Sequence, residues 1–176
     1  RLKQYDSSVP YLMRGYNYYT RYEKNQEYPI YARKKDCLDA DEEVLLDVNE
    51  LAQEQMYCCV TGLSVSPNNQ WLIYGQDCKG NRVYTLFFKH IESQQTLTYT
   101  IPNCSGSVCW AQDSQHVFYV RLNPETLREE SVYLHQCHLK TPQNYNPLDD
   151  TLIYNELDES FSLNLSKSKS EMFIFI

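Results

Sequence analysis

The sequence predicts an all-β protein built of four-stranded antiparallel blades, the repeating unit of a β-propeller. Leu63 to Tyr74 (LSVSPNNQWLIY) and Val108 to Tyr119 (VCWAQDSQHVFY) share one pattern: an apolar alternation, a five-residue polar turn, and a second alternation closing on tyrosine. The two stretches lie 45 residues apart and align without a gap. Each is followed by further short strand signals, and four short strands per roughly 45 residues is the period of a propeller blade. Sixteen tyrosines against five glycines also suit a pleated, half-buried surface. A two-sheet sandwich is the general alternative for many short strands. Matching turn lengths and aromatic positions favour the propeller.

Taken in order, residues 1–14 read as a lead-in and 15–176 as a partial propeller, with blades at about 15–55, 56–102 and 104–156 and an incomplete one at 160–176. In the first blade, Gly15 to Glu23 (GYNYYTRYE) and Tyr28 to Lys35 (YPIYARKK) interleave aromatic and polar residues as half-buried strands do. Pro29 is tolerated near the start of its strand. Glu43 to Leu46 adds a third strand, after which Asp47 caps a brief helix with Glu50 at capping-box spacing. In the second blade, Ser66-Pro67-Asn68-Asn69-Gln70 supplies hairpin chemistry, because proline presets φ and asparagine tolerates the left-handed region. Arg82 to Ile91 and Thr96 to Ile101 complete four strands. The third blade repeats the order with Val108 to Ala111, His116 to Arg121, Ser131 to Leu139 and Thr151 to Tyr154. Val83-Tyr84 and Val132-Tyr133 also correspond. A further copy begins at Phe161, where FSLNLSKSKSEMFIFI again reads strand, turn, strand.

A single domain fits 176 residues, and 42% hydrophobic content suffices for a core. The net charge of −7 argues against a nucleic-acid partner, which needs clustered Lys and Arg. No apolar run approaches the roughly 18 residues that span a bilayer, so no membrane partner is expected. RLKQYDSSVP holds neither an apolar region nor a cleavage site of a signal peptide. The seven cysteines are odd in number and form no CxxC pair, which speaks against a disulfide framework and a zinc ribbon. Free thiols and a cytoplasmic location are expected.

Particular residues carry a resemblance. SSVPYLMRGYNYYTRYEKNQEYPIYARK, EEVLLDVNELA, LSVSPNNQWLIYGQD, GNRVYTLFFKHI, VRLNPETL and LIYNELDESF resemble the oligopeptidase B group of the prolyl oligopeptidase family of serine peptidases, in order and spacing from about Asp6 to Ile176. The resemblance implies a seven-bladed propeller over an α/β-hydrolase domain. In that family the propeller admits peptides and excludes folded proteins, and oligopeptidase B enzymes cleave after arginine or lysine. It also implies that this chain is the first three blades or so, with the catalytic domain downstream as its partner and peptides as substrates. Blades without neighbours expose apolar faces and open strand edges, so self-association is expected of the chain alone. The reading from a different class is a stand-alone β-rich interaction module that binds a ligand through its tyrosine-rich surface.

Catalytic chemistry is not legible in these residues. The nucleophile elbow of this hydrolase class needs GxSxG, and no two of Gly15, Gly62, Gly75, Gly80 and Gly106 are four apart. Gly62-Leu63-Ser64 starts like an elbow but has Ser66 where glycine is required. His135, Cys137 and His138 resemble a metal cluster, yet on a strand 138 points away from 135 and 137. Tyr16, Tyr18, Tyr19, Tyr22, Tyr28 and Tyr31 read as packing between blades, with a carbohydrate or peptide groove as the alternative. Asp39, Asp41, Glu42 and Glu43 lack the DxDxDG loop of a calcium site and read as a solvated acidic loop. No catalytic residue, metal or cofactor is therefore assigned. The family context makes Asp77 and Arg82, flanking QDCKGNR, candidate contacts to the hydrolase domain. Relatives often carry two adjacent basic residues where Asn81-Arg82 stands.

Overall fold

The computed structural model describes residues 6–53, 55–137 and 149–176, in two compact units, 1–58 and 59–176. Strands are antiparallel throughout, and among the described residues no helix is long and apolar enough to cross a membrane. The architecture is that of propeller blades.

In the first unit, β1 (Asp6–Ser7), β2 (Tyr11–Met13), β3 (Tyr16–Tyr22), β4 (Ile30–Lys35) and β5 (Glu42–Asp47) form one sheet, followed by α1 (Val48–Ala52). β1 and β2 lie along the same edge of β3, opposite Arg21–Tyr22 and Tyr16–Tyr18 respectively. Part of the expected lead-in is thus an outer strand broken in the middle. Pro10 cannot donate to a ladder, and Ser8 bridges the gap, its N–H donating to the Thr20 carbonyl at 2.8 Å and its Oγ accepting from the Thr20 N–H. Alternation buries Tyr18, Ile30 and Ala32, while a register shift in the β4–β5 ladder lets the adjacent Leu45 and Leu46 both be buried. The Asp47 carboxylate accepts the Asn49 N–H at 2.8 Å and caps α1, as its position before the helix predicts. The tyrosines chiefly pack: Tyr11 stacks on buried Tyr18, and the guanidinium of buried Arg33 sits 3.8 Å over the Tyr16 ring.

The second unit holds a seven-stranded sheet in simple order: β6 (Cys59–Val65), β7 (Trp71–Asp77), β8 (Tyr84–His90), β9 (Ile101–Trp110), β10 (His116–Leu122), β11 (Glu129–Gln136) and β12 (Thr151–Asn155). A separate hairpin joins β13 (Ser166–Lys167) to β14 (Ile174–Phe175). The expected fourth strand of one blade and first strand of the next are a single strand. β9 pairs β8 through Ile101 and Cys104, and it pairs β10 from Cys104 to Trp110. Of 96–100, Thr96 bridges to Lys89 and the Leu97 N–H donates to the Phe88 carbonyl at 2.8 Å, short of a regular ladder. Cys104 therefore passes the sheet from one blade to the next, with register shifts in both ladders.

The repeat is visible in hydrogen bonds. In the turns 66–71, 111–116 and 168–173, the first residue's N–H donates to the sixth residue's carbonyl, and the fourth residue's N–H donates back to the first carbonyl. The fourth residues, Asn69, Ser114 and Glu171, share φ of 61°, 59° and 59°. Ser66 and Ser168 Oγ accept the sixth N–H; Ala111 has no such oxygen, and Asp113 Oδ1 accepts from His116 instead. The two complete blades meet at these turns, where the Asn68 N–H donates to Ser114 Oγ, and along their inner strands, where Trp110 Nε1–H donates to the Ser64 carbonyl. Successive residues of β10 serve opposite faces. Val117 and Tyr119 join Ile73, Leu86, Phe88 and Trp110 in one core, while Phe118 and Val120 pack with Cys109, Val132 and Leu165 in another.

Candidate functional site

The sheet brings two kinds of turn to one of its ends. β7 finishes at Asp77 opposite Cys59, and β10 finishes at Leu122 before the turn 123–128 that leads into Glu129. Tyr84, just after the first turn, and Arg121, just before the second, both pair with Cys104, so the two turns stand at the same end.

Asp77 is an internal staple of its turn. Its side chain is buried and accepts the N–H groups of Lys79, Gly80 and Arg82 at 2.8, 2.9 and 2.8 Å. Burial pushes this carboxyl up, but the backbone N–H donors outweigh it and hold the group below the ordinary aspartate value. Arg82 is exposed, with φ of 61°, and among the two sequence candidates it is the one whose side chain faces solvent.

Beside these turns lies an open cavity of about 490 Å³, walled by Thr61 and Gly62 of β6, residues 105–108 of β9, Glu129, and residues 162–165. Two close backbone approaches shape it. A Cβ on Gly62 would lie 2.1 Å from the Gly106 carbonyl oxygen, and one on Gly106 would lie 2.2 Å from Thr61 Cγ2. Both glycines have positive φ, 63° and 86°, which a side chain would strain further. Ser107 Oγ donates to Asn164 Oδ1 at 2.8 Å and accepts the Leu165 N–H at 2.9 Å, fastening the third wall to the second. Hydroxyls, one amide and the Glu129 carboxylate line the space. Such a wall offers hydrogen-bond donors and acceptors to a polar ligand. Sequence reasoning did not single it out, because its lining comes from four separate stretches with no pattern among them.

A second polar constellation is buried in the blade of β10 and β11. His135 Nδ1 lies 2.7 Å from Asp150 Oδ1, the Tyr119 hydroxyl donates to Asp150 Oδ2 at 2.7 Å, and Arg121 donates to that hydroxyl at 2.6 Å. His135 Nε2 is 3.2 Å from the Tyr99 hydroxyl, which fits a proton on Nδ1. The side chains of His135 and Asp150 are 3% and 2% exposed, so no substrate reaches this histidine. Asp150, Tyr99 and Arg121 were not flagged from sequence; Asp150 lies 15 residues beyond His135, and no local pattern links them. His138 lies outside the described residues. Among the described residues no group of three or more His, Cys, Asp or Glu is placed to hold a metal ion. Ser66, beside the elbow-like GLS, is fully buried, its Oγ accepting from Trp71 and donating to Asn68.

Comparison with known proteins agrees with this architecture. The model of the prolyl oligopeptidase N-terminal β-propeller domain matches residues 1–176. Dipeptidyl aminopeptidase BI of Pseudoxanthomonas mexicana is 37% identical over 191 residues, covering 100% of this chain and 26% of that protein. Protease 2 of Moraxella lacunata is 33% identical over 183 residues, with 100% and 26% covered. The structure of oligopeptidase B from Leishmania major superposes with a TM-score of 0.89 at 31% identity, over 98% of this chain and 24% of that one. The chain thus spans about a quarter of the length of the relatives it matches.

Proposed function

The chain belongs to the prolyl oligopeptidase family, as its N-terminal β-propeller domain, and from this we propose that it gates and scaffolds a cytoplasmic serine peptidase of the oligopeptidase B kind, cleaving short peptides after arginine or lysine. The observation that carries the reading is likeness to oligopeptidase B along nearly the whole chain. The cavity lined by β6, β9, Glu129 and residues 162–165 supports a gating role, since its polar groups let a peptide make hydrogen bonds along its passage. All seven cysteines are free, which supports a reducing compartment. The catalytic serine, histidine and aspartate belong to the α/β-hydrolase domain, the partner against which these blades work.

The test is to assay the full-length protein on matched fluorogenic peptides ending in arginine, lysine or alanine. A strong preference for the basic pair is expected. Equal rates would remove the oligopeptidase B specificity while leaving the propeller untouched.

Arg82 is the residue proposed to touch the hydrolase domain, with Asp77 holding the turn that presents it. Arg82→Glu in the full-length protein should lower peptidase activity, and parental activity would remove the contact.

A further inference from the structure

Residues 156–162 connect β12 to the extended segment 162–165 that forms the third wall of the cavity, and they are held in an unusual way. Leu157 is 83% exposed and Phe161 61%, so hydrocarbon burial does not fasten the connection. Its internal bonds are local: Glu156 accepts from Asp158, Asp158 from Ser160, and the Asp158 carbonyl from the Phe161 N–H. One side chain reaches in from the blade. Arg128, at the end of the 123–128 turn, donates to the carbonyls of Glu156 at 3.0 Å, Asp158 at 3.3 Å and Phe161 at 2.8 Å.

That guanidinium is itself aimed. Nη2 lies 3.2 Å from Glu130 Oε2, and Asn123 Nδ2 donates to both Glu130 oxygens at 3.0 and 3.1 Å. Asn123 Oδ1 also accepts the N–H groups of Glu125 and Thr126, setting the turn from which Arg128 springs. The connection is pinned on either side of this stretch by backbone bonds, Glu156 N–H to the Glu130 carbonyl and Leu163 N–H to the Glu129 carbonyl. Between them, 157–162 forms a short arch with its ends fixed and its middle held by arginine.

We propose that Arg128 is a clasp that fixes the arch 157–162 and thereby sets the aperture of the cavity, acting as a positioning residue for the size of peptide admitted. The size-selection part rests on the gating function proposed above; the clasp itself does not. A planar fork with five donors can hold several carbonyls at once, whereas an ammonium is a point charge without that fixed geometry. Releasing this one side chain frees the arch without unfolding a core.

The experiment compares full-length parent, Arg128→Ala and Arg128→Lys. Chymotrypsin nicking at Leu157 and Phe161 reads the arch directly. Loss of charge-assisted bonds should raise local opening, and so nicking, by about tenfold or more in Arg128→Ala. Arg128→Lys should fall between the two. Hydrolysis of a two-residue fluorogenic substrate should stay within about twofold, while KM for peptides of about thirty residues falls several-fold with kcat little changed. Parental nicking at 157 and 161 overturns the clasp, as does nicking that rises equally across the whole chain. Faster local nicking with unchanged peptide-length selectivity retains the clasp and removes its role in admission. Failure of the arginine preference in the substrate assay bears on neither readout.

Discussion

The two complete blades of the seven-stranded sheet share a backbone plan and fill it with different chemistry. Around β7 and β8 the interior is hydrocarbon, with Ile73, Leu86 and Phe88 fully buried. Around β10 and β11 the interior holds buried valines, Val117, Val120 and Val132, and adds a polar network to them: Tyr119, His135 and Asp150 are joined by buried hydrogen bonds with Arg121 at their edge. The Phe88 ring lies 5.7 Å from that of His135, so the two kinds of interior meet directly. A blade repeat therefore specifies where backbone turns and strands go. It does not specify what occupies the space between them, because apolar packing and a fully satisfied polar network are both stable solutions.

The largest test of this difference removes one member from each interior. Phe88→Ala should cost about 3–5 kcal/mol by leaving a cavity in hydrocarbon. Asp150→Ala should cost about 3 kcal/mol, because His135, Tyr119 and Arg121 then face an unmatched space. The blades part company in the double variants. His135→Leu with Asp150→Leu should recover part of the loss, since the imidazole goes with its carboxylate and the Tyr119 hydroxyl, still bonded to Arg121, is the group that loses its acceptor. No second substitution around Phe88 has that option. Hydrogen exchange of β8 and β11 in the full-length protein reads both. A double variant as exposed to exchange as Asp150→Ala would mean that the network does more than satisfy itself.

Next in size is the contact the blades share. Gly106→Ala places a methyl group against Thr61 and strains a φ of 86°. A cost of about 2–3 kcal/mol is expected from overpacking together with the left-handed backbone. Exchange should rise in β6 as well as in β9. A rise confined to β9 would make the blades independent at this point. Gly75→Ala is the control: its Cβ would sit 3.2 Å from Tyr84 Cβ instead of 2.2 Å from a neighbour and its φ is not positive, so a smaller loss is expected.

How far these features were legible in the sequence follows the same division. The turns 66–71, 111–116 and 168–173 were readable because their polar residues do local work: Ser66, Asp113 and Ser168 bond backbone within five residues. The Asp47 cap was readable for the same reason. The outer strand at 6–13 was not, since Pro10 breaks the alternation that marks a strand. The continuity of β9 was hidden because IPNCSG carries turn residues, and only its two neighbours keep it extended. The Asp77 staple and the Arg128 clasp escaped because charged residues in a turn read as solvated. The buried network and the cavity escaped because they join residues distant in sequence.

The smallest and sharpest test compares the two turns at the cavity end. Asp77 and Asn123 occupy like places, each side chain accepting the N–H groups two and three residues on, at 2.8 and 2.9 Å for Asp77 and 2.9 Å for both at Asn123. One acceptor is ionised and the other neutral, so only the first turn should respond to acid. The Asp77 carboxyl is held below its ordinary value by those N–H donors. Its stabilisation is therefore complete above the unfolded aspartate value, about 3.9, and is lost as pH falls through the depressed folded value. Asp77→Asn should cost about 1 kcal/mol at pH 7, the difference between charged and neutral acceptors, and nothing once the parental carboxyl is protonated. Amide exchange at Lys79, Gly80 and Arg82, corrected for intrinsic rates, should accelerate on acidification in the parent and stay flat in Asp77→Asn. Glu125 and Thr126 should stay flat in both. Equal acid sensitivity of the two turns would show that their amides report the opening of the whole blade end and that the aspartate confers no local difference.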